Sequence, residues 1–463
     1  MTCHSGTAGL ARRLHVLGMD RRLFLTALGT LVASPSLAAG TSASLRGTLD
    51  AREHGVRPDG GRDQSAAFQR LLNRAFRQDR PIFVPPGRYI VGDLTLPPRA
   101  RLFGLSRTAT LVQAPGRDTI IKGSGCRSVR VEGLAFEGRR QPVRDAFSGL
   151  VHLRGCPDIV LRDCGFDNAA ANAVALERCG GAVDANSLSR ALGHAALYSV
   201  EASGLSIRDN IVRDCANGGI LVHRWNAAAD GTQVRGNRVS NIRADAGGTG
   251  QNGNGINVFR AHDVQIAGNA ISECAFSAIR GNGASNALVT DNMCRASGET
   301  AIYAEFAFQG AVIADNVIDG ATLGISMANF DTGGRLASCT GNLVRNLRRD
   351  GPYPPQAAGF GHGIFAEADT VVAGNVIEEA AGWGLGLGWG PYLRGVVARG
   401  NIVREARVGA AVSVAEGAGH CLIEGNSFAA CREGAVVPHL WAKPAARPLA
   451  QFANVTARGN VTG

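Results

Sequence analysis

An asparagine followed by a short apolar run recurs through this chain at Asn186, Asn210, Asn237, Asn269, Asn292, Asn316, Asn342, Asn375, Asn401, Asn426 and Asn460. The clearest copy is Asp315-Asn316-Val317-Ile318-Asp319-Gly320-Ala321-Thr322-Leu323-Gly324-Ile325-Ser326-Met327, and nearly everything after about residue 130 is a degenerate version of it. The intervals run from 23 to 34 residues, which is the mark of a stacked repeat array. Each copy holds two apolar runs of period two, many glycines and no ten-residue helical pattern. That pattern excludes helical repeats and predicts an all-β coil of short parallel strands, a parallel β-helix. In such a coil equivalent side chains lie about 4.8 Å apart. Buried Asn amides at that spacing are expected to hydrogen-bond to one another and to the turn backbone, a structural rather than a binding role. The Gly or Asp that precedes most of them supplies the turn conformation.

The first 39 residues read differently. Asp20-Arg21-Arg22-Leu23-Phe24-Leu25-Thr26, the apolar Ala27 to Val32 and Ser36-Leu37-Ala38 make a twin-arginine export signal over residues 1–39. The expectation is a periplasmic or secreted protein handed to the twin-arginine machinery. No stretch reaches 18 apolar residues, so no membrane span is expected. Residues 1–39 carry four Arg and one Asp, and without them the formal charge drops from +10 to +7. Only Lys122 and Lys443 are lysines. A modest positive excess favours acidic polymers. With no aromatic-plus-basic cluster or nucleic-acid motif, the expected partner is a polysaccharide rather than nucleic acid. The cysteines beyond the leader form no C-x-x-C pair, and Cys215 and Cys274 each stand five residues after their Asn. They are expected to be small buried fillers, with no metal site and no cofactor. The oligomeric state is left open.

Residues 40–110 are expected to form a cap and the first strands, and residues 111–463 the repeats. From Gln64 to Arg77 the apolar Ala67, Phe68, Leu71, Leu72, Ala75 and Phe76 recur at helical spacing, with Asp63 placed as N-cap. Strand signals follow at Ile82–Val84, Tyr89–Val91 and Leu94–Leu96 around a Pro85-Pro86-Gly87 turn. An amphipathic helix here covers the open end of a solenoid. The order Ala51, Gly55, Asp59-Gly60, Asp63, helix, Val84-Pro85-Pro86-Gly87-Arg88-Tyr89 resembles the N-terminal segment of the pectate-lyase-like superfamily of right-handed parallel β-helices. Together with the leader and the repeats, the whole chain resembles a bacterial family of twin-arginine-translocated repeat proteins. The resemblance implies a right-handed β-helix with a short N-terminal capping helix, and no particular activity.

The second strand of each copy carries the functional signal. Counting its first Gly or Ala as zero, positions +1 and +3 are mostly apolar, so +2 and +4 face outward. The +2 row reads Leu221, Asn257, Arg280, Tyr303, Ser326, Phe365, Gly386; the +4 row reads His223, Phe259, Asn282, Glu305, Ala328, Glu367, Gly388. Two long insertions enter at one corner of the coil, Ala244–Asn252 and Arg349–Gln356, four coil steps (about 19 Å) apart. They are expected to wall a groove floored by exposed Asn257, Arg280, Tyr303, Glu305 and Ser326. Three functions fit. A lyase or epimerase for an acidic glycan would use Tyr303 as base, with Arg280 lowering its pKa or neutralising the substrate carboxylate, helped by Asn257 and Asn282, and by His223 where the groove extends. A non-catalytic glycan-binding or structural solenoid needs only the grip. An inverting glycoside hydrolase would use Glu305 and Glu367, two coils apart at about 9.6 Å, near the range of about 6.5–9.5 Å for such pairs. Gly361-His362-Gly363 resembles the Gly-His-Gly element of polygalacturonases, which would make His362 catalytic. The paired aspartates and Arg-x-Lys element of that family are absent, as is the Asp-Pro-His-Asp motif of alginate epimerases.

Overall fold

The residue before each ladder asparagine determines the shape of the coil. At Ala185, Asp209, Gly236, Gly268, Asp291, Asp315, Gly341, Gly374, Gly400, Gly425 and Gly459 the backbone is left-handed, with φ between 55° and 69°. Glycine adopts this conformation freely, and Asp tolerates it by bonding its own turn, which accounts for the Gly/Asp-Asn dipeptide. The chain bends there from one strand to the next, and the following Asn turns its side chain into the bend. In the computed structural model, which describes residues 47–352 and 360–463, this happens at the same corner on every coil from Asn186 onward. The leader expected over residues 1–39 lies outside the described residues, as does the second half of the second insertion, residues 353–356.

The amides form an unbroken ladder. Asn316 donates from its backbone N to Asn342 Oδ1 (3.0 Å), and from Nδ2 to the same oxygen (2.9 Å) and to the carbonyl of Val289 on the preceding coil (3.0 Å). The same bonds link Asn186 to Asn210, and so on to Asn426 and Asn460. At the N-terminal end Cys164 donates its N–H to Asn186 Oδ1, but Cys164 and, one coil earlier, Leu134 fill the ladder position with apolar side chains.

Three parallel sheets result, of 16, 15 and 15 strands among the described residues, and each strand pairs with its counterpart one coil away. One coil runs through Ser206–Arg208 in sheet A, Ile211–Cys215 in sheet B and Gly218–Ala229 in sheet C. The ladder Asn stands between A and B. The architecture is the expected right-handed parallel β-helix, the hand that strand–crossover–parallel strand connections almost always take. Its interior is stacked Val, Ile and Leu, with Phe136 on Phe166 at 4.9 Å. The ten cysteines of the described residues carry free thiols, and all but Cys431 are buried, so they pack as fillers.

The capping helix spans Ser65–Gln78 and lays Phe68, Leu71, Leu72 and Ala75 over the first strands. Gln64 holds the N-cap position, while the Asp63 carboxylate accepts the Ser65 N–H at 2.8 Å from one residue earlier. At the other end Val436–Leu440 pairs antiparallel with Lys443–Pro444, so the last strand of sheet C is covered by the chain's own return. No helix among the described residues is long and apolar enough to cross a membrane.

Asn316→Ala removes an acceptor shared by two donors of Asn292 and orphans the Val289 carbonyl. It is expected to lower stability by about 1–3 kcal/mol, read as a shift in chemical denaturation with unchanged affinity of the folded protein for any ligand. An affinity loss at intact stability would make the asparagine a binding residue.

Candidate functional site

Strand pairing reproduces both outward rows of sheet C: Leu221, Asn257, Arg280, Tyr303, Ser326, Phe365 and Gly386 are successive partners in one, and His223, Phe259, Asn282 and Glu305 in the other. Backbone bonds from Ala328 N to Ala304 O and from Glu367 N to Met327 O carry the second row past the strand ends. The alternate positions, Ile256, Ile279, Ile302, Ile325 and Ile364, are all in the core. The register is therefore the expected one.

The expected exposure is not. Arg280 is 8% exposed and Glu305 2%, and Asn257 and Ser326 are buried as well. The Ala244–Asn252 insertion does not stand beside the floor as a wall but lies on it. Gly250 sits directly against the Arg280 guanidinium with φ of 115°, and a Cβ there would collide with it. Gly250 O also accepts Asn254 Nδ2 at 2.8 Å. The insertion thus covers Arg280, one residue of the expected floor.

Four of the expected residues meet. Arg280 Nε donates to Glu305 Oε1 at 2.6 Å, Asn282 Nδ2 donates to the same oxygen at 3.0 Å, and the Arg280 guanidinium lies 5.5 Å from the Tyr303 ring centre. Glu299, which the repeat pattern did not single out, stands 3.8 Å from Arg280 Nη1. Arg280 Nη1 and the neighbouring Asn257 Oδ1 are buried without hydrogen-bond partners among the described residues.

This geometry corrects the proposed base. Tyr303 was expected to have its phenol pKa lowered by Arg280, but burial and then the charges of Glu305 and Glu299 raise it above the ordinary tyrosine value, with Arg280 only partly opposing them. The guanidinium is occupied by Glu305, so it is not a free receptor for a substrate carboxylate.

Glu367 is the other perturbed group. It is 6% exposed and its Oε2 accepts the Phe330 N–H at 2.7 Å from the turn at Asn329–Thr332. Burial, opposed by that hydrogen bond and reinforced by Asp331, pushes it up to about 7. No ion pair reaches it among the described residues. The row position between Glu305 and Glu367 belongs to Ala328, whose methyl group is the smallest outward side chain available short of Gly.

The two histidines do not join the cluster. His223 packs against Tyr198 (5.5 Å) and Phe259 (5.6 Å), three strand steps from Glu305, and burial pushes it down to about 4. It is neutral at physiological pH and remote, so its role as a proton donor there is withdrawn. His362 stacks on Trp383 at 4.3 Å, its Nδ1 accepts the Trp383 N–H at 2.9 Å, and burial pushes it down to about 3. It is a packing residue, and the Gly-His-Gly likeness carries no catalytic role. Ser326 pairs beside Tyr303 and is buried.

Residues 225–437 match the family model described as a right handed beta helix region. Comparison with curated proteins found no match. Among solved structures the chain is similar to the A-module of the Azotobacter vinelandii mannuronan C-5 epimerase AlgE6, at 16% identity over 90% of this chain and 99% of that one, with a TM-score of 0.38. It is also similar to the Dettilon tailspike protein, at 15% identity over 86% and 69% of the two chains with a TM-score of 0.48. A third similar structure is the catalytic domain of a GH87 alpha-1,3-glucanase, at 13% identity over 90% and 69% with a TM-score of 0.48. At such identities function has to be argued from this chain's own side chains.

Because Arg280 and Glu305 are buried together, Arg280→Ala is expected to cost about 3–5 kcal/mol by leaving a carboxylate unpaired, whereas the double replacement Arg280→Met with Glu305→Leu recovers most of that loss. Urea denaturation of the single and double variants measures it. A loss below about 0.5 kcal/mol, the usual range for an exposed position, would mean that Arg280 is not held buried beneath the loop.

Proposed function

We propose that the protein acts on a polysaccharide outside the cytoplasm, and that the outer face of sheet C hydrolyses a glycosidic bond with inversion, Glu367 as the acid and Glu305 as the base. The Arg21-Arg22 leader supports the location. The observation that carries the chemistry is that one row holds two carboxyl groups in opposite surroundings. Glu367, buried and without a cation, is pushed up to about 7 and holds its proton near neutrality. Glu305 accepts hydrogen bonds from Arg280 Nε and Asn282 Nδ2. Two carboxyls in such different surroundings can take the separate roles of acid and base. Their positions are two strand steps apart, about 9.6 Å, at the upper edge of the separation at which an inverting pair flanks a water and the glycosidic oxygen. Glu305 takes a proton from water as the water oxygen attacks the anomeric carbon. The bond from that carbon to the leaving oxygen breaks as Glu367 gives its proton to that oxygen.

The lyase or epimerase reading is the weaker one, since it needs a free cation and an acidic phenol at positions where Arg280 is paired and Tyr303 is pushed up. A non-catalytic, structural solenoid is favoured by one observation, the burial of the paired Arg280 and Glu305.

Purified mature protein incubated with acidic and neutral polysaccharides is expected to release reducing ends without the ultraviolet absorbance of an unsaturated product. Glu367→Gln and Glu305→Gln should each lower kcat by about 10²–10⁴ while keeping binding. An acid must be protonated to act, so kcat/KM should fall about tenfold per pH unit above about 7 in the wild type. Absorbance with intact activity in both variants would instead establish elimination, and binding without either product would establish the grip.

A further inference from the structure

Both rows of sheet C continue toward the N-terminus beyond the coils that carry the asparagine ladder. Lys122 pairs with His152, and the same row passes through Ala175, Tyr198, Leu221 and Asn257 to Arg280. Ser124 and Arg154 are partners in the adjacent row. Around these residues lies a cleft of about 360 Å³, within the size range of small-ligand sites. It is six strand steps from Arg280, about 29 Å along the axis. The intervening stretch carries exposed Phe147 stacked on His194 at 4.9 Å, and Tyr198 5.9 Å from Phe147.

The charges in this cleft pair off almost completely. Arg144 Nε donates to Asp118 at 2.9 Å, and Arg154 lies 3.2 Å from Glu177 and 3.5 Å from Asp145. The cation left over is Lys122, exposed and with no ion pair among the described residues. Ser148 also lines the cleft: it is 2% exposed, and its hydroxyl has no hydrogen-bond partner among the described residues. His152 Nε2 accepts from Arg154 Nε at 3.2 Å, so its other nitrogen is a donor, and burial with the Arg154 charge holds its pKa below the ordinary histidine value. The site therefore offers one free ammonium, an imidazole donor, an unused hydroxyl and paired carboxylates able to accept from hydroxyl groups. A neutral sugar would leave the ammonium without a counter-charge. A polyphosphate would meet too little uncompensated positive charge. A sugar ring bearing one carboxylate matches all four features.

We propose that this cleft is an anchoring subsite for a uronate unit, with Lys122 taking its carboxylate, and that the polysaccharide lying along this face is acidic. The inference rests on the glycan reading of the sheet C face but not on the chemistry assigned to Glu305 and Glu367.

The test is calorimetric titration with oligogalacturonate and oligomannuronate, and with the same oligosaccharides after their carboxyl groups have been reduced to alcohols. The Glu367→Gln chain serves as host so that no substrate is consumed. The host is expected to bind one of the acidic oligosaccharides about tenfold or more tighter than its reduced form. Lys122→Ala should abolish that preference and Lys122→Arg should retain it, with unchanged circular dichroism in both. Equal affinity for acidic and reduced forms, an acidic preference that survives Lys122→Ala, or no binding of any of them would overturn the proposal. Lys122-dependent binding accompanied by no turnover in the wild type would remove the hydrolytic reading and leave the anchoring subsite standing.

Discussion

The buried amide ladder from Asn186 to Asn460 is the interaction on which the rest of the structure depends. From Asn210 on, each amide oxygen accepts two donors from the coil before it, and up to Asn426 each amide nitrogen donates to an amide oxygen and a backbone carbonyl. A polar group in this position is costly to bury unpaired, so a coil that slipped by one residue would lose its bonds to both neighbours. The ladder therefore keeps every coil from Asn186 onward in the same phase even though the sequence distance per coil varies from 23 to 34 residues. The two largest insertions enter away from the A–B corner, between the ladder and the start of sheet C, where extra chain does not disturb the bonds.

Common phase is what makes sheet C a functional surface. Residues far apart in sequence, such as Lys122, Arg280 and Phe365, become members of one straight row, and their side chains are set at strand spacing along the axis. A polymer with its own regular spacing is a natural ligand for such a face. The two carboxyl positions gain their difference from what surrounds each: Glu305 has a guanidinium and an amide beside it, while Glu367 has a backbone N–H and the nearby Asp331.

Much of this was legible in the sequence. The Gly/Asp-Asn pattern announces the left-handed bend, and alternation after it fixes which residues face out, so Asn257, Arg280, Tyr303 and Ser326 were placed in the correct row. Alternation speaks only of direction, however. It cannot report that Gly250 comes down on Arg280, because that contact depends on how a glycine-rich insertion folds back. Nor does it show that Arg280 prefers Glu305 one coil away to an outside ligand. Glu299 and the Lys122 cleft escaped for another reason. The first stands just before its strand, outside the counted positions, and the second lies on coils where Ala109 and Leu134 replace the asparagine and erase the repeat signal.

The central claim is that one face, the outer side of sheet C, receives a glycan along the helix axis. It is tested most directly by a crystal structure of the Glu367→Gln chain with a bound oligogalacturonate long enough to span several coils. The account predicts sugar density over sheet C, a carboxylate on Lys122, and the chain directed along the row toward positions 305 and 367. Density confined to the outer faces of sheets A or B would contradict it.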